Sequence, residues 1–467
     1  MNRRTFLTSI SLAASTRLTG ANTFEPTWES LRTHKVPEWY DNAKLGIFIH
    51  WGLYSVPAWA PTTGELGKVD WSKWFYQNAY AEWYLNSLRL KDTPTYEHHV
   101  KTYGANFDYY DFARTFNAGL GHWDPAQWAT LFRRAGARYA VLTTKHHDGF
   151  TMWPSQVVNP KKANNSAKRD LVGDLASAIR KEGLKMGLYY SGGLDWTFNS
   201  TAIAKMEDLK ATAPQSEEYA RYADAHVREL IARYKPSVLW NDINYPKLGK
   251  IPSIFAEYYN AVPEGVINNR FGVDFSDFTT PEYAKYDKIT EKKWESCRGL
   301  GFSFGYNRME GPDQVIASDK LVALLADIVS KNGNLLLNIG PKADGSISDI
   351  QLDRLHALAR WMDINGEAIH DTKPWIRAAA KSGDGTEIRF TRKPDAAYSI
   401  LLTRPKAGAF TIPGISAPPG PRVTVLGLIA PLKWSQVGAD IAVTLPERLP
   451  GEYAVALKMS PAPTQAP

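Results

Sequence analysis

A carboxylate closes one of the apolar runs of the sequence. Residues 239–242 (Leu-Trp-Asn-Asp) have the pattern of a strand that ends at Asp242. In a barrel enzyme, the carboxyl end of a strand is where a nucleophile or a general base is directed into the mouth of the barrel. The same Asp could instead cap the following helix or satisfy a turn. These four residues support the catalytic and the structural interpretation equally.

Paired carboxyl groups would suit the hydrolysis of glycosides, in which a second, protonated carboxyl group assists the departure of the leaving oxygen. In a retaining enzyme the two groups lie about 5–5.5 Å apart. The candidates for the second group are Glu282 in residues 279–283 (Thr-Thr-Pro-Glu-Tyr), Glu295 and Glu82. Aromatic neighbours can raise the pKa of a carboxyl group enough to keep it protonated near neutrality. Spacing along the chain does not choose among the three.

Hydrogen-bond donors cluster at a second strand end. Residues 145–150 (Lys-His-His-Asp-Gly-Phe) place His146 and His147 beside Lys145, and imidazoles near an ammonium suit the binding of sugar hydroxyls. A zinc site is the alternative. It is disfavoured because successive strand residues point to opposite faces, and the sequence contains no His-Glu-x-x-His or comparable ligand spacing. A core role for one of the two histidines is equally compatible with the pattern.

Two further segments combine polar groups with aromatic residues. His50 closes the first apolar run within residues 50–52 (His-Trp-Gly), and Glu82 lies in the cluster 80–84 (Tyr-Ala-Glu-Trp-Tyr). The aromatic residues fit a protein core as well as a sugar pocket. A carboxylate within such a cluster needs hydrogen-bond partners, however, and substrate hydroxyls could supply them.

The elements that must position these residues alternate between about residue 40 and residue 370. The predicted strands are residues 45–50, 139–145, 185–191, 237–242, 265–270 and 334–340. The predicted helices are residues 125–137, 170–182, 216–234, 319–331 and 350–364. This alternation is typical of βα units around a parallel sheet. It predicts an α/β fold in which residues 23–369 form a (β/α)8-like TIM barrel.

The ends of the predicted strands are polar, which supports the barrel. The residues at these ends are His50, Lys145, Tyr190, Asp242, Arg270 and Asn338. In a barrel the carboxyl ends of the strands converge at one mouth, so residues far apart in sequence share one pocket. A doubly wound open sheet is the main alternative, but the first strand is not followed by the glycine-rich turn that a nucleotide phosphate needs.

The pattern changes after about Ile369. Short alternating strands are predicted at residues 386–391, 398–402, 422–426 and 453–457, separated by turns rich in Gly and Pro. They predict a small β-sandwich over residues 370–460. Residues 461–467 are rich in Pro and Ala and are expected to form a disordered tail.

The N-terminus resembles a twin-arginine export signal. Residues 2–7 (Asn-Arg-Arg-Thr-Phe-Leu) precede a short apolar stretch that ends at Ala14. A signal over residues 1–22 predicts a periplasmic or secreted protein. The apolar stretch is too short to span a bilayer as a permanent helix, and no later segment has the roughly 20 apolar residues that spanning requires.

Composition excludes several other classes of function. The net charge is +7, but basic residues are interspersed with acidic ones throughout the chain, so we do not expect a nucleic-acid partner. Cys297 is the only cysteine, so neither an internal disulfide nor a two-thiol metal or redox site can form. The 16 Trp and 23 Tyr residues would suit a sugar pocket, because aromatic rings pack against the C–H faces of sugars.

Ordered blocks along nearly the whole chain resemble the α-L-fucosidases of glycoside hydrolase family 29. The matching blocks are residues 39–52, 145–150, 152–153, 169–174, 187–191, 239–242, 269–270, 293–295, 303–306, 334–341 and 344–345. The resemblance implies a barrel followed by a β-sandwich. It also implies a retaining exo-α-L-fucosidase that needs no cofactor and whose nucleophile is Asp242.

Carried over motif by motif, the resemblance implies a fucose pocket. Its substrate-binding residues would be His50, Tyr80, Glu82, His146, His147, Tyr190, Trp240 and Arg270, with Trp294 and the region of Phe304 along the methyl side of the sugar. The general acid varies in position within this family. The block at residues 279–283 resembles the bacterial form and implies Glu282, with Glu295 as the second choice.

The expected partner is a fucosylated oligosaccharide or glycoconjugate, and the sequence leaves a homo-oligomer possible. Two other functions stay open. One is hydrolysis of a fucose-like sugar such as α-L-galactose, which differs only in the room required near the methyl group. The other is non-catalytic carbohydrate binding, which the presence of both candidate carboxylates argues against.

Overall fold

The computed structural model describes residues 23–465. The predicted export signal and the last two residues of the predicted tail therefore lie outside the described residues. A parallel seven-stranded sheet forms the centre of the molecule, in the order β5-β4-β3-β2-β1-β7-β6. Its strands are β1 (Leu45–Ile49), β2 (Tyr139–Lys145), β3 (Lys185–Ser191), β4 (Val238–Asp242), β5 (Val266–Ile267), β6 (Trp294–Gly299) and β7 (Gly333–Ile339).

The strands are mainly apolar because both faces of the sheet are buried. Every residue of β1, β2, β4 and β7 is buried, as expected for a parallel sheet with its interior on one side and helices on the other. The six predicted strands are confirmed, although β5 is only two residues long. The strand β6 was not predicted, because its sequence Trp-Glu-Ser-Cys-Arg-Gly is polar.

An irregular segment spans the gap between the two edges of the sheet. Residues 278–282 make single parallel bridges to both sides: Phe278 pairs with Asn268 beyond β5, while Thr279 and Glu282 pair with Trp294 and Cys297 of β6. The segment occupies the position of the remaining barrel strand. The fold is thus a curled (β/α)8-like barrel in which short irregular connections replace the regular βα units on this side.

Helices pack around the sheet. They are α1 (Trp28–Leu31), α2 (Glu38–Ala43), α3 (Tyr84–Arg89), α4 (Pro94–Tyr103), α5 (Phe112–Gly119), α6 (Pro125–Arg134), α7 (Leu171–Lys181), α8 (Met206–Thr212), α9 (Glu217–Tyr234), α10 (Ile251–Ala261), α11 (Ser318–Ser330) and α12 (Asp349–Asn365). The five predicted helices are confirmed to within three residues at either end. Two of the predicted first residues, Asp170 and Ser216, are N-caps whose side chains accept hydrogen bonds from the first turns of α7 and α9.

Antiparallel strands follow α12. They are β8 (Lys373–Lys381), β9 (Glu387–Lys393), β10 (Ala396–Leu401), β11 (Gly408–Ile412), β12 (Ile415–Ser416), β13 (Arg422–Val425), β14 (Trp434–Val437), β15 (Asp440–Leu445), β16 (Val455–Ser460) and β17 (Thr464–Gln465). A five-stranded sheet (β13-β16-β10-β9-β8) and a three-stranded sheet (β11-β15-β14) share one apolar core, to which Phe390 and Val443 contribute from either side. This is a sandwich.

The predicted disordered tail is wrong for two of its residues. Thr464 and Gln465 form β17, which pairs with β12, so backbone hydrogen bonding to a sheet edge orders residues whose composition suggested a frayed end. Among the described helices, none combines the length and the apolar character needed to cross a bilayer.

Candidate active site

A pocket of about 220 Å³ opens at the carboxyl ends of the barrel strands. Its polar lining consists of His50, Glu82, His146, His147, Asp242, Arg270 and Glu282, and its aromatic lining of Phe48, Trp71, Trp74, Phe75, Tyr80, Trp83, Tyr189, Trp240 and Phe304. The strand ends therefore bring residues from distant parts of the chain together, as the barrel predicts.

Asp242 ends β4 with its carboxylate in the pocket. Its Oδ1 accepts a 2.8 Å hydrogen bond from Nη1 of Arg270, and its Oδ2 accepts one of 3.0 Å from the hydroxyl of Tyr189. Burial raises the pKa of Asp242, but the Arg270 guanidinium and His147 outweigh this effect and hold the pKa below its usual range. Asp242 is therefore ionised at neutral pH, as a carboxylate nucleophile must be.

The guanidinium of Arg270 contacts both candidate catalytic carboxylates. Its Nη1 binds Asp242, and its Nη2 donates a 2.9 Å hydrogen bond to Oε2 of Glu282. Thr280 fixes the same side chain by accepting from Nε at 2.9 Å, and the guanidinium lies over the ring of Trp240 at 4.7 Å. Because one planar group binds both carboxylates, Asp242 and Glu282 face the same small volume.

Glu282 lies on the irregular segment that spans the sheet edges. It pairs with Cys297 of β6, and its Oε1 accepts a 2.9 Å hydrogen bond from the hydroxyl of Tyr80. The next residue, Tyr283, has φ of +48°, in the left-handed region that non-glycine residues rarely adopt. This backbone geometry turns the chain at the point where the carboxyl group enters the pocket.

Three histidines line the pocket in their neutral form. His50 pairs through Nδ1 with Oδ1 of Asn338 at 2.6 Å, and His147 pairs through Nδ1 with the hydroxyl of Ser191 at the same distance. Burial lowers the pKa of His50 to about 3 and that of His147 to about 4, and it also holds the pKa of His146 well below its usual value. Neutral imidazoles can both donate to and accept from sugar hydroxyls.

Glu82 is a buried acid at the wall of the pocket. It accepts hydrogen bonds from the backbone N–H of Gly305 at 2.7 Å and from the hydroxyl of Ser303 at 3.2 Å. Burial raises the pKa of Glu82 to about 7, against the lowering effect of these donors. Its carboxyl group therefore has both protonation states available near neutrality for binding a hydroxyl.

Tyr190 is the first predicted site residue that the structure places elsewhere. Its ring is buried outside the barrel interior, its hydroxyl pairs with Nδ1 of His226 at 3.2 Å, and the ammonium of Lys145 lies over it. The neighbouring Tyr189 lines the pocket instead. Side chains alternate along a strand, and Tyr189 is in register with Trp240, so these two share the inner face. Lys145 likewise points outward and forms a buried ion pair with Asp195.

Trp294 and Glu295 also lie away from the pocket. Trp294 begins β6, at the end of the barrel opposite the mouth, and its indole N–H donates to the backbone of Lys331. Glu295 lies inside the barrel, where it accepts hydrogen bonds from Tyr40, Tyr139 and Trp240. With these donors on both oxygens, Glu295 is a structural group in the barrel interior, and Glu282 is the candidate acid.

The remaining predicted residues line the pocket, together with several that the sequence did not single out. The unpredicted residues include Phe48, Trp74, Phe75 and Tyr189. Strand alternation is the signal that could have identified Phe48 and Tyr189. Phe48 lies two residues before His50, on the same face of β1, and Tyr189 is in register with Trp240 on the inner face of β4. Among residues 23–465, no group of three or more His, Cys, Asp or Glu side chains could hold a metal ion.

Comparisons with known proteins show which family the chain resembles in sequence and in fold. The family model described as Alpha-L-fucosidase matches residues 11–367. The chain is 34% identical over 456 residues to the tissue alpha-L-fucosidase of Homo sapiens, covering 94% of this chain and 92% of the relative. Its fold is similar to that of Thermotoga maritima alpha-fucosidase in complex with fucose, with a TM-score of 0.86, 46% identity, and coverage of 93% and 100% of the two chains. A complex of the Thermotoga maritima enzyme with a mechanism based inhibitor gives a TM-score of 0.87 at 47% identity, covering 94% and 100%.

Proposed function

The chain belongs to the α-L-fucosidase family of glycoside hydrolases, and we propose that it removes terminal α-L-fucose by double displacement through a covalent fucosyl intermediate on Asp242. The observation that carries the mechanism is the contact of one guanidinium, that of Arg270, with both Asp242 and Glu282. This contact supports a close pair of carboxyl groups, which is the arrangement of retaining glycosidases.

In the first step, a carboxylate oxygen of Asp242 bonds to the anomeric carbon as the bond to the leaving oxygen breaks. Glu282 delivers its proton to that oxygen, so the aglycone leaves as a neutral alcohol. The Tyr189 hydroxyl and the Arg270 guanidinium hold Asp242 ionised and oriented before the attack. Positive charge then develops on the sugar ring beside a fixed carboxylate, which stabilises the transition state.

In the second step, Glu282 takes a proton from water, and the water oxygen bonds to the anomeric carbon. The bond to Asp242 breaks, and fucose leaves with its original configuration. While Asp242 is esterified it carries no charge, so the guanidinium of Arg270 faces Glu282 alone.

The experiment that tests these roles compares the wild type with Asp242→Gly and Glu282→Ala on 4-nitrophenyl α-L-fucoside, with and without azide. We expect both variants to lose at least about a hundredfold in turnover. Azide should yield β-fucosyl azide from Asp242→Gly and α-fucosyl azide from Glu282→Ala. Near-wild-type turnover by either variant would reject its assigned role. The corresponding α-L-galactoside should be a poor substrate; preference for it would reassign the sugar.

We also propose export of the folded chain to the periplasm or the medium, on the basis of the Arg-Arg-Thr-Phe-Leu motif at residues 3–7. Replacing Arg3 and Arg4 by lysine should retain the protein in the cytoplasm. Cell fractionation with an activity assay measures this. An unchanged periplasmic fraction would contradict the proposal.

A further inference from the structure

The mouth of the pocket is apolar and partly open to solvent. Trp71 and Met206 line the same cavity as the catalytic carboxylates, yet 47% of Trp71 and 45% of Met206 are exposed. Leu66 and Leu209 line the same cavity. Single exposed apolar side chains are ordinary on a protein surface, but a cluster that continues into a binding pocket marks a place for a ligand.

A chain of aromatic contacts places Trp71 on the side of the general acid. The hydroxyl of Tyr80 donates to Glu282, and the ring of Tyr80 meets Trp74 edge to face, with 5.1 Å between centroids. Trp74 in turn contacts Trp71, with 6.0 Å between centroids. Tyr80 and Trp74 are buried, whereas Trp71 at the end of this chain is exposed.

The position of the acid determines where the leaving group lies. Glu282 must reach the glycosidic oxygen to protonate it, so the aglycone extends from that oxygen on the Glu282 side of the pocket. Fucose occupies the deep part, where Asp242 reaches the anomeric carbon. The part of the substrate beyond the oxygen therefore passes the aromatic chain that ends at Trp71.

The side chains at the mouth of the pocket indicate which kind of aglycone it binds. Four charged residues line the cavity. Glu82 and Asp242 are buried, and Arg270 and Glu282 are half-buried and bound to each other. The outer lining residues are a tryptophan, a methionine and two leucines, which favour a flat apolar face. The pyranose ring of a neutral sugar has such a face, formed by its C–H groups.

We propose that Trp71, together with Met206 and Leu209 of the same cavity lining, forms an aglycone subsite that binds the C–H face of a neutral sugar next to the fucose. This inference rests on the proposed function, because it requires Glu282 to be the acid. It makes Trp71 a specificity-determining residue: it contacts the leaving group and has no part in the cleavage of the bond.

Two substrates that differ only in the leaving group test the proposal. One is a disaccharide in which α-L-fucose is attached to a neutral hexose, and the other is α-L-fucosyl fluoride, whose leaving group has no ring. Trp71→Ala should lower kcat/KM for the disaccharide about tenfold, which corresponds to about 1.4 kcal/mol. The fluoride should change less than twofold, because no contact with it is lost. Met206→Ala should show the same selectivity with a smaller effect.

Tyr76→Ala is the matched control. Tyr76 lies five residues from Trp71 and is 46% exposed, but it is absent from the lining of the cavity, so both substrates should retain wild-type kcat/KM. An equal fall on both substrates in Trp71→Ala would overturn the subsite and indicate a disturbed fucose pocket. If Trp71→Ala and Met206→Ala both hydrolysed the disaccharide as fast as the wild type does, the proposed subsite would be overturned as well. If the wild type hydrolyses neither substrate, the proposed function itself fails.

Discussion

Arg270 sets the charge of the candidate site, because its guanidinium contacts both Asp242 and Glu282. Burial alone would raise the pKa of Asp242 and disfavour its charged form; the guanidinium, with His147, reverses the direction. Both residues could be predicted from the sequence, but their contact could not, because 28 positions separate Asp242 from Arg270. Only the barrel brings them together.

Removing this charge should change the pH dependence of the reaction. In Arg270→Leu, burial acts on Asp242 with less opposition, so the pKa of its carboxyl group rises. The pH at which kcat/KM falls on the acid side should therefore move upward relative to the wild type, together with a loss of about a hundredfold or more at the optimum. A pH profile on 4-nitrophenyl α-L-fucoside measures both. An acid limb at the wild-type pH would show that Arg270 does not control Asp242.

The two adjacent tyrosines of β3 provide a paired test. Tyr189→Phe removes the hydrogen bond to Asp242 and should lower kcat/KM about tenfold, by loss of one hydrogen bond to a charged group. Tyr190→Phe removes only the contact with His226 and should leave kcat/KM within about twofold. Michaelis–Menten kinetics on the two variants separates them, and the reverse order would contradict the assignment of faces.

Tyr189 and Tyr190 also show how far the sequence predicts the individual residues of the site. The strand end was predicted correctly, but the choice between Tyr189 and Tyr190 depends on which alternate residues face inward. The register of β3 against β4 fixes this by pairing Tyr189 with Trp240. Register between strands depends on tertiary packing, so the sequence of β3 alone does not contain it.

At the scale of elements, β6 is the strand of the parallel sheet that the sequence pattern missed. Its glutamate, Glu295, is buried because Tyr40, Tyr139 and Trp240 donate to it inside the barrel. These donors come from three other elements, so a strand read by itself looks too polar to be interior. By contrast, α7 and α9 have the N-caps Asp170 and Ser216 in their own sequences, and their bounds were predicted to within one residue.

Glu295 and Glu282 should therefore respond differently to truncation. Glu295→Ala leaves three buried donors without their acceptor and should lower the free energy of unfolding by about 3–5 kcal/mol. Glu282→Ala should change it by less than about 1 kcal/mol, and its lost turnover should be restored by azide. Urea denaturation and azide rescue on both variants test this. Rescue of Glu295→Ala by azide, without loss of stability, would make Glu295 the acid.

At the scale of the whole molecule, an ion cluster joins the barrel to the sandwich. Asp327 on α11 is buried between Lys331, which directly follows this helix, Lys285, and Arg389 on β9. Burial raises the pKa of Asp327, but these three cations outweigh it and lower the pKa to about 2. The cluster thus fixes the sandwich against a helix that packs on the barrel strand carrying Asn338.

Acid should weaken this junction. Because the folded-state pKa of Asp327 is below its ordinary value of 3.8, the carboxylate contributes stability above about pH 4, and this contribution is lost as the pH falls towards about 2. The shift corresponds to about 2 kcal/mol. Asp327→Asn should lose at least this much at pH 7 and show a flatter decline between pH 4 and pH 2, as measured by denaturant unfolding.

Asp319→Asn is the control on the same helix. Asp319 forms an exposed pair with Lys320, and such pairs contribute little, so its unfolding free energy should stay within about 0.5 kcal/mol of wild type. A loss as large as that of Asp327→Asn would show that helix charge, and not the junction, is responsible.

For the molecule as a whole, the sequence predicted the two domains but not the segment that completes the barrel. Alternating strands and helices predicted the barrel, and the change of pattern near residue 369 predicted the sandwich. Residues 278–282 complete the circle of strands through single bridges and contain no regular periodicity, so nothing in their sequence identifies a strand. Their importance is functional, because this segment carries Glu282.

The proposed mechanism is tested most directly by identifying the residue that carries the covalent intermediate. The protein would be treated with 2-deoxy-2-fluoro-α-L-fucosyl fluoride, in which the fluorine slows release of the sugar, and then digested and analysed by mass spectrometry. We expect a 2-deoxy-2-fluorofucosyl group on the peptide containing Asp242, with time-dependent loss of activity. A label on Glu282 or Glu295, or release of fucose from a natural substrate with inverted configuration and no label, would contradict it.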